Sequence, residues 1–153
     1  MVEYPIVEAT PEEHQAFLDF LNTVFGKQGP MKLWEFRNTL ARLNARVYLM
    51  LDKEQVIGSV MVSDQSTAEY KPLTYISWVG IAEKYRRKGL GTRMLKSIID
   101  TIPTAIVLST ERDNAVACRL YEKLGFVSYE MLGWVQTDTR EGKKQYYRAS
   151  DRC

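Results

Sequence analysis

Between an apolar run ending at Ile81 and a helical pattern beginning at Leu90, the chain reads Ala82-Glu83-Lys84-Tyr85-Arg86-Arg87-Lys88-Gly89-Leu90-Gly91-Thr92. No other segment constrains the fold as much. It must turn a strand into a helix through two glycines and three consecutive cations. Leu90, Met94, Leu95, Ile98 and Ile99 recur at helical spacing, so a helix is expected from Leu90 to Ile102, stopped by Pro103. The first turn of such a helix has backbone N–H groups with no partner inside it, and the macrodipole places roughly half a positive charge there. Gly89 and Gly91 carry no Cβ, so a phosphate can come close to that backbone. Thr92 adds a hydroxyl donor, and Arg86, Arg87 and Lys88 add long-range attraction. The segment therefore has the chemistry of an anion site. It also suits a plain tight turn with a solvated cationic face, and Gly-x-Gly alone does not choose between the two. A dinucleotide fingerprint would need a third glycine where Met94 stands, and no Walker-type Gly-Lys-Ser/Thr follows.

Around this segment helices and strands mix without strict βαβ alternation. A short strand is expected from Ile6 to Ala9. A helix then opens on Thr10 as N-cap, Pro11 at its first position and Glu13 at its third, running to Phe25. After Gly26 to Pro30 a second helix spans Met31 to Asn44. Strands at Arg46–Leu51 and Gln55–Ser63 flank the polar turn Asp52-Lys53-Glu54 as a hairpin, and Leu73–Ile81 is a third long strand. The wholly apolar run Ala105–Leu108 reads as a strand buried on both faces. Asn114–Leu124 is a helix ended by Gly125, and Phe126–Gln136 with Lys143–Ala149 make a last hairpin around Glu141-Gly142. This order predicts an α+β fold with a mostly antiparallel sheet.

Composition narrows the function classes. At 153 residues the chain suits one domain, residues 1–153. With 21 Lys+Arg against 19 Asp+Glu the net charge is +2, which gives no reason to expect a nucleic-acid partner. No apolar run approaches the ~20 residues that span a bilayer, and Met1 to Pro5 lacks the pattern of a signal peptide, so a soluble, cytoplasmic protein is expected. Two cysteines, Cys118 and Cys153, and one histidine, His14, are too few for a disulfide framework or a His/Cys metal cluster, so no metal is expected.

A second constellation lies downstream. Asn114, Cys118 and Tyr121 are spaced by four and three residues and share one helix face. On their own, Asn114 serves as an N-cap and Tyr121 as a core tyrosine. The two segments together resemble the GNAT superfamily of N-acetyltransferases. Arg86-Arg87-Lys88-Gly89-Leu90-Gly91 matches its Arg/Gln-x-x-Gly-x-Gly/Ala pyrophosphate loop. Asn114, followed by Leu120-Tyr121-Glu122-Lys123-Leu124-Gly125-Phe126, matches its Asn…Leu-Tyr-x-x-x-Gly-Phe signature. The match is strongest from Val79 to Phe126.

The resemblance implies a GNAT-like fold of six to seven strands flanked by about four helices. It implies an enzyme that moves an acetyl group from acetyl-CoA to a primary amine of a small molecule or a peptide by direct attack. The backbone of Val79, Gly80 and Ile81 would pair with the pantetheine arm. The N–H groups from Arg87 to Thr92 would hold the pyrophosphate, with Arg86 opening the motif. Asn114 would contact the pantetheine, and Tyr121 would stand near the thioester sulfur as general acid. Two positions where some family members keep a glutamate base are Tyr75 and Ser109 here, so no base is assigned; Glu111, Asp64 or Glu69 acting through water, and a water chain without a dedicated base, stand as equal alternatives. Phe25, Trp34, Phe36, Tyr146 and Tyr147 are candidates for the acceptor side. A homodimer is a further expectation of the resemblance. The rival reading is a catalytically inactive acyl-CoA-binding regulatory module, and a third is a nucleotide-binding domain using the same loop.

Overall fold

The computed structural model describes residues 3–25, 32–64, 73–103, 105–111, 115–128, 134–138 and 144–150. Among the described residues, eight strands and four α-helices follow in the order β1 (Ile6–Glu8), α1 (His14–Phe25), α2 (Leu33–Arg42), β2 (Arg46–Asp52), β3 (Gln55–Asp64), β4 (Leu73–Ile81), α3 (Leu90–Ile99), β5 (Ala105–Glu111), α4 (Ala115–Lys123), β6 (Val127–Ser128), β7 (Trp134–Asp138) and β8 (Lys144–Ser150). Two compact units are formed, Met1–Ser63 with Trp78–Leu95 and Asp64–Ser77 with Lys96–Cys153. β4 and α3 each contribute residues to both.

In the first unit β1 pairs antiparallel with β2, and β2 with β3, before β3 neighbours β4. A single 3-10 turn, Pro11–Glu13, leads into α1. There the Glu13 carboxylate accepts the Thr10 N–H at 2.9 Å and the Thr10 hydroxyl at 3.0 Å, so the Thr-Pro-Glu-Glu signal marks the helix entrance as expected. Phe17, Leu18 and Leu21 of α1 and Phe36 and Leu40 of α2 bury against Val47, Leu49 and Met61 of the strands. Gly58 of β3 is tightly enclosed by other residues of this unit. A Cβ there would sit 2.9 Å from Ile81 Cδ1, 3.2 Å from Met50 Cβ and 3.3 Å from Met94 Sδ.

In the second unit β4 pairs with β5, β5 with β8, and β8 with β6, all in parallel, while β7 returns antiparallel along β8. The sheet is therefore mixed, which corrects the expectation of a mostly antiparallel sheet of six to seven strands. The cause lies in the connections. A helix between two strands carries the chain back to its starting end, so the next strand runs parallel, and this holds for α3 between β4 and β5. The last strand, β8, then sits between β5 and β6 rather than at an edge. The final hairpin is made by β7 and β8; β6 is a separate short strand, whereas one strand from Phe126 to Gln136 was expected. Ile106, Val107 and Leu108 of β5 are almost wholly buried, as their apolar run requires. None of the described helices is long and apolar enough to cross a membrane.

Candidate active site

The candidate residues divide between the two units. In the first, the segment after β4 folds as a 3-10 turn, Glu83–Tyr85, and an exposed loop that enters α3 at Leu90. Arg86 folds back so that its Nε donates to the Ile81 carbonyl at 2.9 Å. Arg87 and Gly89 both have positive φ, +65° and +75°. Glycine adopts that conformation without penalty, and a residue with a Cβ does so at a cost of about 1 kcal/mol or more. A Cβ at Gly89 would meet no atom within 4 Å, so the space over this backbone is open. The first α-helical bond runs from Arg93 N–H to Gly89 O at 3.1 Å. The N–H groups of Leu90, Gly91 and Thr92 therefore precede it and have no acceptor within the helix. Open space, donors and cations coincide, and a pyrophosphate fits these residues. Leu90 itself is buried, so its part in such a site is played by its backbone.

The loop is fastened from behind by a residue that sequence reasoning passed over. Tyr85 donates its hydroxyl to Asp52 Oδ2 at 2.5 Å, at the end of β2. Its ring meets Tyr4 edge-on at 5.7 Å and lies under the Lys84 and Lys88 ammonium groups at 5.9 and 5.6 Å. Donation to the Asp52 carboxylate, more than any other cause, pushes the Tyr85 phenol up to about 12. Arg93 was also passed over. One of its guanidinium nitrogens, Nη2, is buried without a hydrogen-bond partner among the described residues, in the first turn of α3.

β4 breaks its regular course just before Val79. Its parallel ladder with β5 runs from Leu73 opposite Ala105 to Ile76 opposite Leu108 and ends there. Two residues later Trp78 has φ +50°, a conformation that a bulky residue adopts only when its surroundings impose it. The Trp78 carbonyl accepts from the Ser59 hydroxyl of β3 at 2.9 Å. Its ring lies near-parallel to Phe36 at 6.1 Å and tilted on Phe17 at 6.3 Å. Just past the end of β4, the Ala82 N–H donates to Ile57 O at 2.8 Å. Val79 and Ile81 are half-buried and Gly80 is buried.

In the second unit α4 carries Tyr121. The Leu-Tyr-x-x-x-Gly-Phe run has a plain structural logic here. Gly125 takes φ +98° and ends the helix, its N–H bonded to Glu122 O at 3.0 Å while Phe126 N–H reaches back to Tyr121 O at 2.9 Å. This is a Schellman cap, and its usual apolar contact is the Phe126 ring edge-on to Tyr121 at 6.1 Å. Tyr121 is 7% exposed, and burial first, then the neighbouring Tyr75 and Cys118, pushes its phenol up to about 12. It stays protonated at every physiological pH. Tyr75 stands on β4 opposite Val107, and Ser109 on β5 opposite Arg148, so the two base positions are filled by a phenol and a hydroxyl. Asp64 ends β3 and is exposed; Glu111 ends β5.

Asn114 and Glu69 lie outside the described residues. Phe36 proves to be a core residue, wholly buried between α1 and the sheet, which removes it from a pocket lining. Trp34, on α2, is 67% exposed and has the opposite character. Phe25, Tyr146 and Tyr147 fall within α1 and β8.

Comparison with known proteins gives one consistent result. The model of the acetyltransferase (GNAT) family matches residues 12–126. Among curated proteins, N-alpha-acetyltransferase 30 of Schizosaccharomyces pombe is 26% identical over 132 residues, 83% of this chain and 88% of that one. The Xenopus laevis protein of the same name is 29% identical over 107 residues, which is 67% of this chain but only 39% of its own length. A mycothiol acetyltransferase of Corynebacterium aurimucosum is 37% identical over 65 residues, 39% of this chain and 21% of that one. Among solved structures, a GNAT-family acetyltransferase from Streptococcus pneumoniae superposes with a TM-score of 0.69 at 21% identity, covering 94% of this chain and 95% of that chain. A chain of the NatC complex bound to Gag peptide and CoA also superposes at 0.69, with 18% identity and 94% of each chain covered.

Proposed function

This chain belongs to the GNAT family of acetyltransferases and is an acetyl-CoA-dependent N-acetyltransferase, and on that premise we propose that its acceptor is the α-amino group at the N-terminus of a peptide or protein. The observation that carries the choice of acceptor is the extended match to a protein named for N-alpha-acetylation. Tyr75 and Ser109 support it on separate, chemical grounds. A lysine side chain, pKa near 10.4, hides its nucleophile behind about 4–5 kcal/mol at pH 7, and drawing it out calls for a base. An α-amino group, pKa near 7.7–8.0, needs only about 1 kcal/mol. A site with a phenol and a hydroxyl where a carboxylate base would stand suits the second acceptor.

Acetyl-CoA supplies the activated acetyl group; the chain supplies binding, orientation and charge stabilisation. The Arg86–Thr92 loop holds the pyrophosphate with backbone N–H groups, and Val79, Gly80 and Ile81 present a strand edge to the pantetheine. Asn114 contacts the same arm. Past the end of the β4–β5 ladder, the Val79 N–H is the donor for the negative charge that develops on the thioester oxygen during attack. Tyr121 faces the sulfur as a proton-bearing group. With its phenol at about 12, giving the proton fully to a thiolate whose acid has a pKa near 8.5 is uphill by roughly 5 kcal/mol. Tyr121 therefore stabilises the departing sulfur through a hydrogen bond, the thiolate takes its proton from solvent, and the attacking nitrogen gives its own proton up to solvent. Residues 1–153 make up one N-acetyltransferase domain in this reading, acting in the cytoplasm as a homodimer.

The test is a thermal-shift series followed by an acceptor screen. Acetyl-CoA at one hundred times its dissociation constant is expected to raise the unfolding midpoint by roughly 5–11 °C, with CoA similar and ATP without effect. Peptides covering each N-terminal residue are then compared with N-acetylated peptides containing an internal lysine. Transfer to the free N-termini alone supports the reading, and transfer to lysine alone overturns the choice of acceptor. Binding without transfer to any amine would return the regulatory-module reading.

A further inference from the structure

We propose that Ser59 is a positioning residue for acetyl transfer: its hydroxyl holds the peptide between Trp78 and Val79 in one orientation, so that the Val79 N–H points away from β3 as the donor to the thioester oxygen. The proposal rests on the acetyltransferase reading given above.

A trans peptide is planar, and its C=O and N–H point in opposite directions. The Trp78 carbonyl and the Val79 N–H belong to the same peptide. Because that carbonyl points to Ser59 Oγ on β3 at 2.9 Å, the N–H points away from β3. In an unbroken strand each residue sends its own N–H and C=O to the same side, and neighbouring residues alternate. The φ of +50° at Trp78 is not a strand conformation, and something must sustain it. Two restraints act in the first unit. Packing of the Trp78 ring, stacked on Phe36 and tilted on Phe17, fixes the side chain, and the Ser59 hydroxyl fixes the carbonyl.

Ser59 has no solvent exposure, and its backbone lies opposite Leu49 inside the β2–β3 ladder. A buried hydroxyl needs a partner, and here the partner is a strained carbonyl rather than a carbonyl of its own strand. An alanine would fill this core position as well on grounds of packing alone. What the hydroxyl adds is a preference for one of the two faces that the 78–79 peptide can present.

The experiment compares Ser59→Thr with Ser59→Val, which have nearly the same shape and differ in the hydroxyl. Ser59→Ala repeats the loss without adding volume, in case the larger residues are not accommodated. Three readouts are taken: kcat for transfer to the best peptide of the N-terminal panel, the dissociation constant of acetyl-CoA, and the Trp78 φ in a crystal structure of each variant without ligand. We expect Ser59→Val and Ser59→Ala to lose ~10-fold or more in kcat with acetyl-CoA affinity changed less than about two-fold, and Ser59→Thr to recover most of the rate. We expect the positive φ at Trp78 to persist in the Thr variant and relax in the other two. Equal kcat in the hydroxyl-bearing and hydroxyl-free variants, or a positive φ in all of them, overturns the assignment while leaving the acetyltransferase reading intact. A wild-type protein that binds acetyl-CoA no better than ATP overturns that reading, and the role of Ser59 with it.

Discussion

The anion loop and the Tyr121 helix are both assigned to one cosubstrate, yet they are built in opposite ways. The loop from Arg86 to Gly89 is exposed, and what it offers is backbone N–H groups and open space over Gly89. Tyr121 is buried, and what it offers is one hydroxyl whose proton burial holds in place. A backbone site is broken by adding atoms, because the donors survive any substitution that keeps the conformation. A buried hydroxyl is broken by removing one atom, because the ring still fills its place. The contrast fixes which variants should separate affinity from rate.

The largest effect is expected from Gly89→Glu. It forces a side chain onto a φ of +75° and puts a negative charge at the proposed pyrophosphate site. We expect the acetyl-CoA midpoint shift to vanish, corresponding to a loss of ~100-fold or more in affinity from strain and repulsion together. Retained binding would mean that the loop is only a turn. Tyr121→Phe comes next and should do the reverse. Acetyl-CoA affinity stays within about two-fold while kcat falls ~10- to 100-fold, the range for losing one hydrogen bond to a charged group. If affinity falls and kcat does not, Tyr121 is a packing residue and the contrast between the two regions collapses. Gly58→Ala acts first on packing. Its Cβ would press on Ile81, Met50 and Met94, so unfolding free energy should drop by about 1–3 kcal/mol in urea, and because Ile81 belongs to the proposed pantetheine edge, any further effect should appear in acetyl-CoA affinity.

The same contrast explains what the sequence discloses. Gly89 is visible in it because a backbone that needs a positive φ selects a residue type, and Gly125 is visible for the same reason at the end of α4. The Thr10–Glu13 entrance and the bounds of β4 were likewise legible, since caps and apolar runs act locally. Trp78 disclosed nothing. Its left-handed backbone is imposed by Ser59, Phe17 and Phe36, which lie 19, 61 and 42 positions earlier in the chain, and no local pattern announces such a restraint. The mixed sheet was missed for a related reason. That β8 enters between β5 and β6 is decided by which edges remain for the last strand, and strand order is not written in any one segment. Tyr121 lies between these cases. Burial made it look like any core tyrosine, and only its place in a Tyr-x-x-x-Gly-Phe run, now explained by the Schellman cap and the Phe126 contact, set it apart. Tyr85 carries no such signal, although Tyr85→Phe is expected to raise KM for acetyl-CoA by about three- to ten-fold with kcat unchanged, because it frees the loop from Asp52 without touching the donors.

The smallest effect, and the one that joins both regions, is in the pH dependence. Tyr121 and Tyr85 are each raised to about 12 from an ordinary value near 10. A group whose folded pKa is raised contributes stability that is complete below its unfolded pKa and is lost as pH rises through the folded value. These tyrosines should therefore leave urea stability flat up to about pH 10 and lower it between about pH 10 and 12, and Tyr121→Phe should reduce that decline. The rate has a different profile. The neutral fraction of an α-amino acceptor, pKa near 8, rises until about pH 9, and Tyr121 keeps its proton well beyond that point. kcat/KM should then climb with unit slope to a plateau and show no descending limb below about pH 10. A lysine acceptor would keep the rate climbing past pH 10, and a Tyr121 with an ordinary phenol would bring it down there. One pH–rate curve, measured with a peptide whose only amine is its N-terminus, thus separates the acceptor's titration from that of the buried hydroxyl.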